Sequence, residues 1–127
     1  MNIRLLMRLW AIIALILGII FAASPVLVAR DRKPPTTPGN LRDNGMSFED
    51  GETWPFWEQS TDNVDPQSVI RYDVYVNGVF DHSLMGFGRA IVYGNAGVEN
   101  TYQVIAVDSA GNQSVPATLT TCAGAIC

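Results

Sequence analysis

Residues 71–80, Arg-Tyr-Asp-Val-Tyr-Val-Asn-Gly-Val-Phe, restrict the fold of this chain more than any other stretch. Tyr72, Val74 and Val76 alternate with Arg71, Asp73 and Tyr75, and a period of two places each set on its own face of a strand. Asn77-Gly78 then separates this run from Val79 and Phe80. That pair suits a two-residue type I′ turn, in which both central residues take positive φ. An antiparallel hairpin over 69–83 is the expectation, and a helix there is excluded.

The rest of the exported part reads the same way. Thr101–Val107 is rich in β-branched and aromatic residues and predicts a long strand, and Asp108–Ser114 is turn chemistry. Shorter strands are expected around Leu41, over 53–58, over 90–93 and over 115–121. Pro55 lacks a ladder donor, so the 53–58 strand should be an edge or carry a bulge. Seven short strands with no helical period between them predict an all-β sandwich. Three basic residues, Arg42, Arg71 and Arg89, stand against eleven acidic ones from Pro34 to Cys127, a net charge of −8. Such a surface repels phosphate backbones, so nucleic acid is not an expected partner.

The N-terminus has another character. Arg4 and Arg8 precede an apolar run of 15 residues, Leu9–Ala23, which is the order of an export signal. No position offers small residues at both −3 and −1 without a following proline. The apolar stretch continues to Ala29, a span of 21 residues, enough to cross a bilayer. The expected organisation is therefore a signal peptide or transmembrane helix over 1–29, a proline-rich spacer over 30–38, a domain over 39–121 and a cysteine-bearing tail over 122–127. The domain is expected outside the cytoplasm, either on a single-pass anchor that contacts the membrane through 9–29 or secreted into the periplasm or medium.

Three blocks in order resemble the fibronectin type III domain as found in bacterial extracellular proteins. Trp57 with Ser60-Thr61-Asp62-Asn63 is similar to its B strand and following loop. Tyr72-Asp73-Val74-Tyr75 with Asn77-Gly78 is similar to its C strand and hairpin. Tyr102, Val104, Ala106-Val107-Asp108, Ala110-Gly111-Asn112, Ser114 and Pro116 are similar to its F strand, F–G loop and G strand. The resemblance covers roughly 35–121 and implies an immunoglobulin-like sandwich of A-B-E against C-C′-F-G. It implies no activity, since that fold hosts unrelated functions. Two positions depart from the family pattern: Asn100 stands where a corner tyrosine is usual, and Gly94 where leucine is. The corner bond should be missing or rebuilt.

Candidate sites follow from residue type. Trp54 and Phe56 should face out of the A-B-E sheet, and Leu84, Met85 and Phe87 should gather near the B–C and F–G loops. Both groups suit contact with a protein, and the first also suits stacking on the sugars of a polysaccharide. Asp62, Asp65 and Asp108 are weak calcium candidates, because Asx residues in such loops also serve their own turns. Asp81-His82-Ser83 has the residue types of a nucleophilic triad, but neighbours on a strand point to opposite faces and cannot converge. No enzyme and no cofactor is expected. Tyr75, Ile105 and Val107 should form an outward apolar strip. Cys122 and Cys127 can close a small tail loop in an oxidising compartment or pair between chains.

Overall fold

The computed structural model describes residues 29–45 and 51–123. All of the expected 1–29 leader except Ala29, and Cys127 of the tail, lie outside them. The strands are β1 (Gly39–Asp43), β2 (Glu52–Thr53), β3 (Pro55–Glu58), β4 (Arg71–Val76), β5 (Val79–Met85), β6 (Val92–Tyr93), β7 (Glu99–Val107) and β8 (Ala117–Cys122). One layer is a four-stranded antiparallel sheet in the order β5-β4-β7-β8. The other comprises two short ribbons, β1-β3 and β2-β6, with a bridge from Phe56 to Arg89. This is the expected arrangement of A-B-E against C-C′-F-G.

One expected strand is two. The run over 53–58 breaks at Trp54, where the chain changes partners: Thr53 pairs with Val92 of β6, while Pro55 pairs with Asp43 of β1. Pro55 has no N–H to give, so only its carbonyl is used from 88–90, accepting from Ala90 N at 3.0 Å. The alternation survives the break. Thr53, Pro55 and Trp57 are buried, whereas Trp54 and Phe56 are half-buried on the other face.

The hairpin forms as its sequence requires. Asn77 and Gly78 have φ of 51° and 80°, and Val76 pairs with Val79 across the turn. A short 3₁₀ turn, Gln67–Val69, leads into β4. Trp57, Tyr72, Val74, Tyr102, Val104 and Ala106 fill the space between the layers, with the rings of Trp57 and Tyr72 tilted at 58° and 5.3 Å apart. Tyr72 also uses its polar tip, accepting a hydrogen bond from Ser60 N at 2.7 Å.

The outward apolar strip is narrower than expected. Val107 is only 2% exposed. The chain after Asp108 folds back on it: Gln113 bridges to Val107, and Ser114 N donates to Ala106 O at 2.9 Å. Strand alternation assigns a face, but a returning loop decides whether that face meets water. Tyr75 meets Phe80 edge-on at 5.6 Å instead of standing alone.

The corner bond is rebuilt by an amide. Asn100 is 1% exposed, and its side chain makes four hydrogen bonds. Nδ2 donates to Asn95 O and Val98 O, both at 2.9 Å, while Oδ1 accepts from Asn95 N and from Asn77 Nδ2, both at 2.8 Å. Asn77 Oδ1 in turn accepts from Thr101 N at 2.9 Å. The turn between β4 and β5 is thus tied to the β6–β7 connection. Gly94 leaves the room for this: a Cβ there would lie 2.6 Å from Asn100 Cγ and 2.6 Å from the Tyr102 hydroxyl.

On the outer face of the four-stranded sheet, Asp73 is 6% exposed. Arg71 grips it with two donors, at 2.8 and 3.1 Å, and the Ser83 hydroxyl donates at 2.6 Å. Burial pushes its carboxyl up, but Arg71 and Ser83 outweigh burial and hold it below the usual carboxylate range. Asp108 is also held low: burial again opposes the charge, and hydrogen bonds from Asn112 and the backbone of 110–111 overcome it. A depressed folded pKa means stability that is present above about pH 4 and lost as pH falls through the folded value. Denaturant midpoints should therefore fall between pH 5 and pH 2.5, and Asp73→Asn should flatten that decline. An unchanged profile in the variant would remove Asp73 from the account.

Candidate functional site

Of the two apolar groups that the sequence leaves apart, Trp54 and Phe56 meet Phe87 in one groove. After β5 the chain crosses to the other layer and runs beside β3. Trp57 N donates to Gly88 O at 2.7 Å, and Phe56 bridges to Arg89. Gln59 Nε2 donates to Gly86 O and pins the start of the crossing. This path carries Phe87 over to Trp54 and Phe56. A groove of about 510 Å³ results, lined by Trp54, Phe56, Phe87, Gln59, Arg89, Asn44 and the backbone of Gly86 and Gly88. A second groove of about 480 Å³ adjoins it, with Leu84, His82, Ala90 and Ile91 on its walls; Trp54 and Arg89 belong to both.

The aromatic residues are not equivalent. The Arg42 guanidinium lies 3.9 Å from the ring centroid of Phe56 and covers one face, so Phe56 is a wall and not an open platform. Phe87 is 62% exposed and Trp54 is half-buried. Met85, half-exposed at the end of β5, lines neither groove. Arg89, Gln59 and Asn44 were not identifiable as groove residues from sequence. Their place depends on the 86–90 crossing, and no local pattern in Gly-Phe-Gly-Arg-Ala encodes it.

At the end of the sandwich formed by the B–C and F–G loops, the acidic candidates sort differently from expectation. Asp65 is drawn away to Ser109, accepting from its N at 2.6 Å and its Oγ at 2.9 Å. Asp31, from the proline-rich spacer, takes its place: carboxylate oxygens of Asp31, Asp62 and Asp108 lie within 4.8 Å of one another. Hard oxygen donors of this kind suit calcium, which takes six to eight of them. Here Asn112 already occupies both Asp108 oxygens, through its N at 2.8 Å and Nδ2 at 2.6 Å, and Nδ2 also reaches Asp31 O at 3.3 Å. Asn112, with Asn63 Nδ2 donating to Asp31 Oδ1 at 3.4 Å, fastens the spacer to the loops, and we assign the cluster no metal.

The Asp81-His82-Ser83 run does not converge. His82 Nδ1 pairs with Asp81 Oδ2, while the Ser83 hydroxyl is committed to Asp73. Cys122 is disulfide-bonded at the end of β8.

No protein-family model matches the sequence, and no curated protein does. Solved structures do match. The central fibronectin-III array of RIM-binding protein superposes with a TM-score of 0.55 at 20% identity, over 72% of this chain and 33% of that one. The Clostridium perfringens spore cortex lytic enzyme SleM gives 0.55 at 16% identity, over 68% of this chain and 28% of that one. Domains d3–d4 of the rat CD45 extracellular region give 0.54 at 12% identity, over 78% and 58%. This chain thus spans less than two thirds of the length of each. Together with the A-B-E and C-C′-F-G layers, these likenesses establish that the described residues have the fibronectin type III fold.

Proposed function

We propose that this chain is a non-catalytic interaction module displayed outside the cytoplasm, on a membrane anchor or in secreted form, and that the Trp54–Phe87 groove is its contact surface. The observation that carries this reading is the convergence of three aromatic side chains, Trp54, Phe56 and Phe87, from two separate elements into one open groove. Apolar residues scattered singly over a surface need no explanation, but a contiguous aromatic patch rimmed by polar groups marks a place of contact. The export-type leader supports the compartment, and the disulfide at Cys122 accords with an oxidising one. The alternative use of the same surface is as a carbohydrate-binding accessory domain.

A photo-crosslinking side chain at Phe87, introduced in producing cells, tests the contact. We expect discrete adducts that diminish when Trp54→Ala is added, and none from a crosslinker at Val115, which is 72% exposed outside the groove. Equal, diffuse labelling from both positions would sink the reading. The mass of the exported protein decides between the two forms of display.

A further inference from the structure

We propose that the groove takes a glycan with isolated carboxylates, such as one in which a uronic acid alternates with neutral sugars, a sugar ring lying against Trp54 and a carboxylate meeting Arg89. This rests on the groove being the contact surface. The argument starts from charge. Of the three cations between Pro34 and Cys127, Arg71 is held by Asp73, and Arg42 lies over Phe56 and donates to Asn40 O at 3.0 Å. Arg89 is exposed and makes no ion pair or side-chain hydrogen bond among the described residues. The one uncommitted cation of a strongly acidic domain thus stands where two grooves meet around Trp54.

The occupant follows from what the groove offers and what it withholds. An indole gives a sugar ring an apolar face, and the exposed Arg89 beside it offers planar donors suited to a carboxylate. An extended peptide would add itself to a free strand edge. β3 offers none, because it is paired with β1 on one side and with 88–90 on the other; among the described residues β5 keeps an unpaired outer edge along the second groove, and the acidic peptide in the test below decides that case. The spacing of charge on the glycan matters as well. A net charge of −8 repels a densely charged polyanion at long range, whereas a single carboxylate between neutral sugars meets Arg89 at short range.

The test is calorimetric titration of the full-length chain, in detergent if the leader is retained, with a hexasaccharide of alternating glucuronic acid and N-acetylglucosamine. Its methyl ester, which lacks the charge, and a neutral chito-oligosaccharide serve as comparisons. Binding is expected for the acid and should weaken about tenfold or more for the ester, consistent with loss of a charge-assisted hydrogen bond. Arg89→Gln should weaken the acid similarly and leave the ester unaffected; Trp54→Ala should weaken both, and Val115→Ser neither. Equal affinity for acid and ester overturns the proposal, as does tighter binding of an acidic peptide. Binding that emerges only after Phe48→Ser also overturns it, in favour of the chain's own 46–50 segment as occupant. Failure of all glycans with the Phe87 crosslink intact removes the occupant but leaves the interaction surface, whereas loss of both removes both.

Discussion

Asn100→Ala should lower the free energy of unfolding by about 3 kcal/mol, measured by chemical denaturation, because it removes four hydrogen bonds at once from a buried amide. The partners sit on exposed residues and can turn in part to water, so the loss is the sum of four net terms of about 0.5–1.5 kcal/mol each. Asn95 N, Asn95 O and Val98 O all depend on the Asn100 amide, and so does Asn77 Nδ2. Asn100→Asp is expected to fare nearly as badly, because a carboxylate cannot donate to the two carbonyls. Restoring the tyrosine usual at this corner should not rescue the fold, since the room was shaped for an amide. Gly94 is the other half of the arrangement. Gly94→Ala should be costly alone and less so in the Asn100→Ala background, and the difference measures their coupling. If the two penalties simply add, the matched-pair account fails.

The second large effect is expected at Trp57. Its side chain is 5% exposed and lies against Tyr72 at the centre of the two layers. Trp57→Ala removes most of a bicyclic ring from a site that cannot collapse, a loss of about 3–5 kcal/mol. In a domain of this size that is a large share of a total of roughly 5–15 kcal/mol. Trp57→Phe should cost clearly less. The buried indole N–H has no hydrogen-bond partner among the described residues, so phenylalanine removes volume and a poorly placed polar group together. Urea melts followed by far-ultraviolet circular dichroism would check both. An alanine variant within 1 kcal/mol of wild type would mean that the layers close over the gap.

These two sites also mark how far a sequence could be read. Trp57, Tyr72, Tyr102 and Val104 declare themselves by alternation, since a strand has only two faces and the apolar one must be covered. The turn at Asn77-Gly78 is legible because few residues accept positive φ. Asn100 could be recognised only as a departure. Whether an amide rebuilds the corner depends on where residues 94–98 place their backbone groups, which no local pattern specifies. Val107 illustrates the opposite error. Its parity assigns it outward, and the F–G return buries it.

The groove lies between these cases. Trp54 and Phe56 face outward as alternation requires, yet their meeting with Phe87 needs the 86–90 crossing to lie along β3, a contact between segments some 30 residues apart. Arg89 arrives by the same route. Asp31 was hidden for a related reason: proline-rich spacers have no periodicity, so the docking of one against the B–C and F–G loops leaves no trace in sequence. The acidic site drawn from loop residues alone therefore included Asp65, whose oxygens belong to Ser109.

The positions of the two ends of the domain have a mechanical consequence. The spacer enters beside Asp62 and Asp108, at the pole where Gly39 pairs with Glu58, whereas β8 leaves at the opposite pole, where Cys122 pairs with Glu99. Tension between a tether on the N-terminal side and a load on the C-terminal side therefore runs lengthwise along β1 and β8. The backbone bonds of β1 to β3 and of β8 to β7 lie across that pull and share it in shear, so they must give way together and not one at a time.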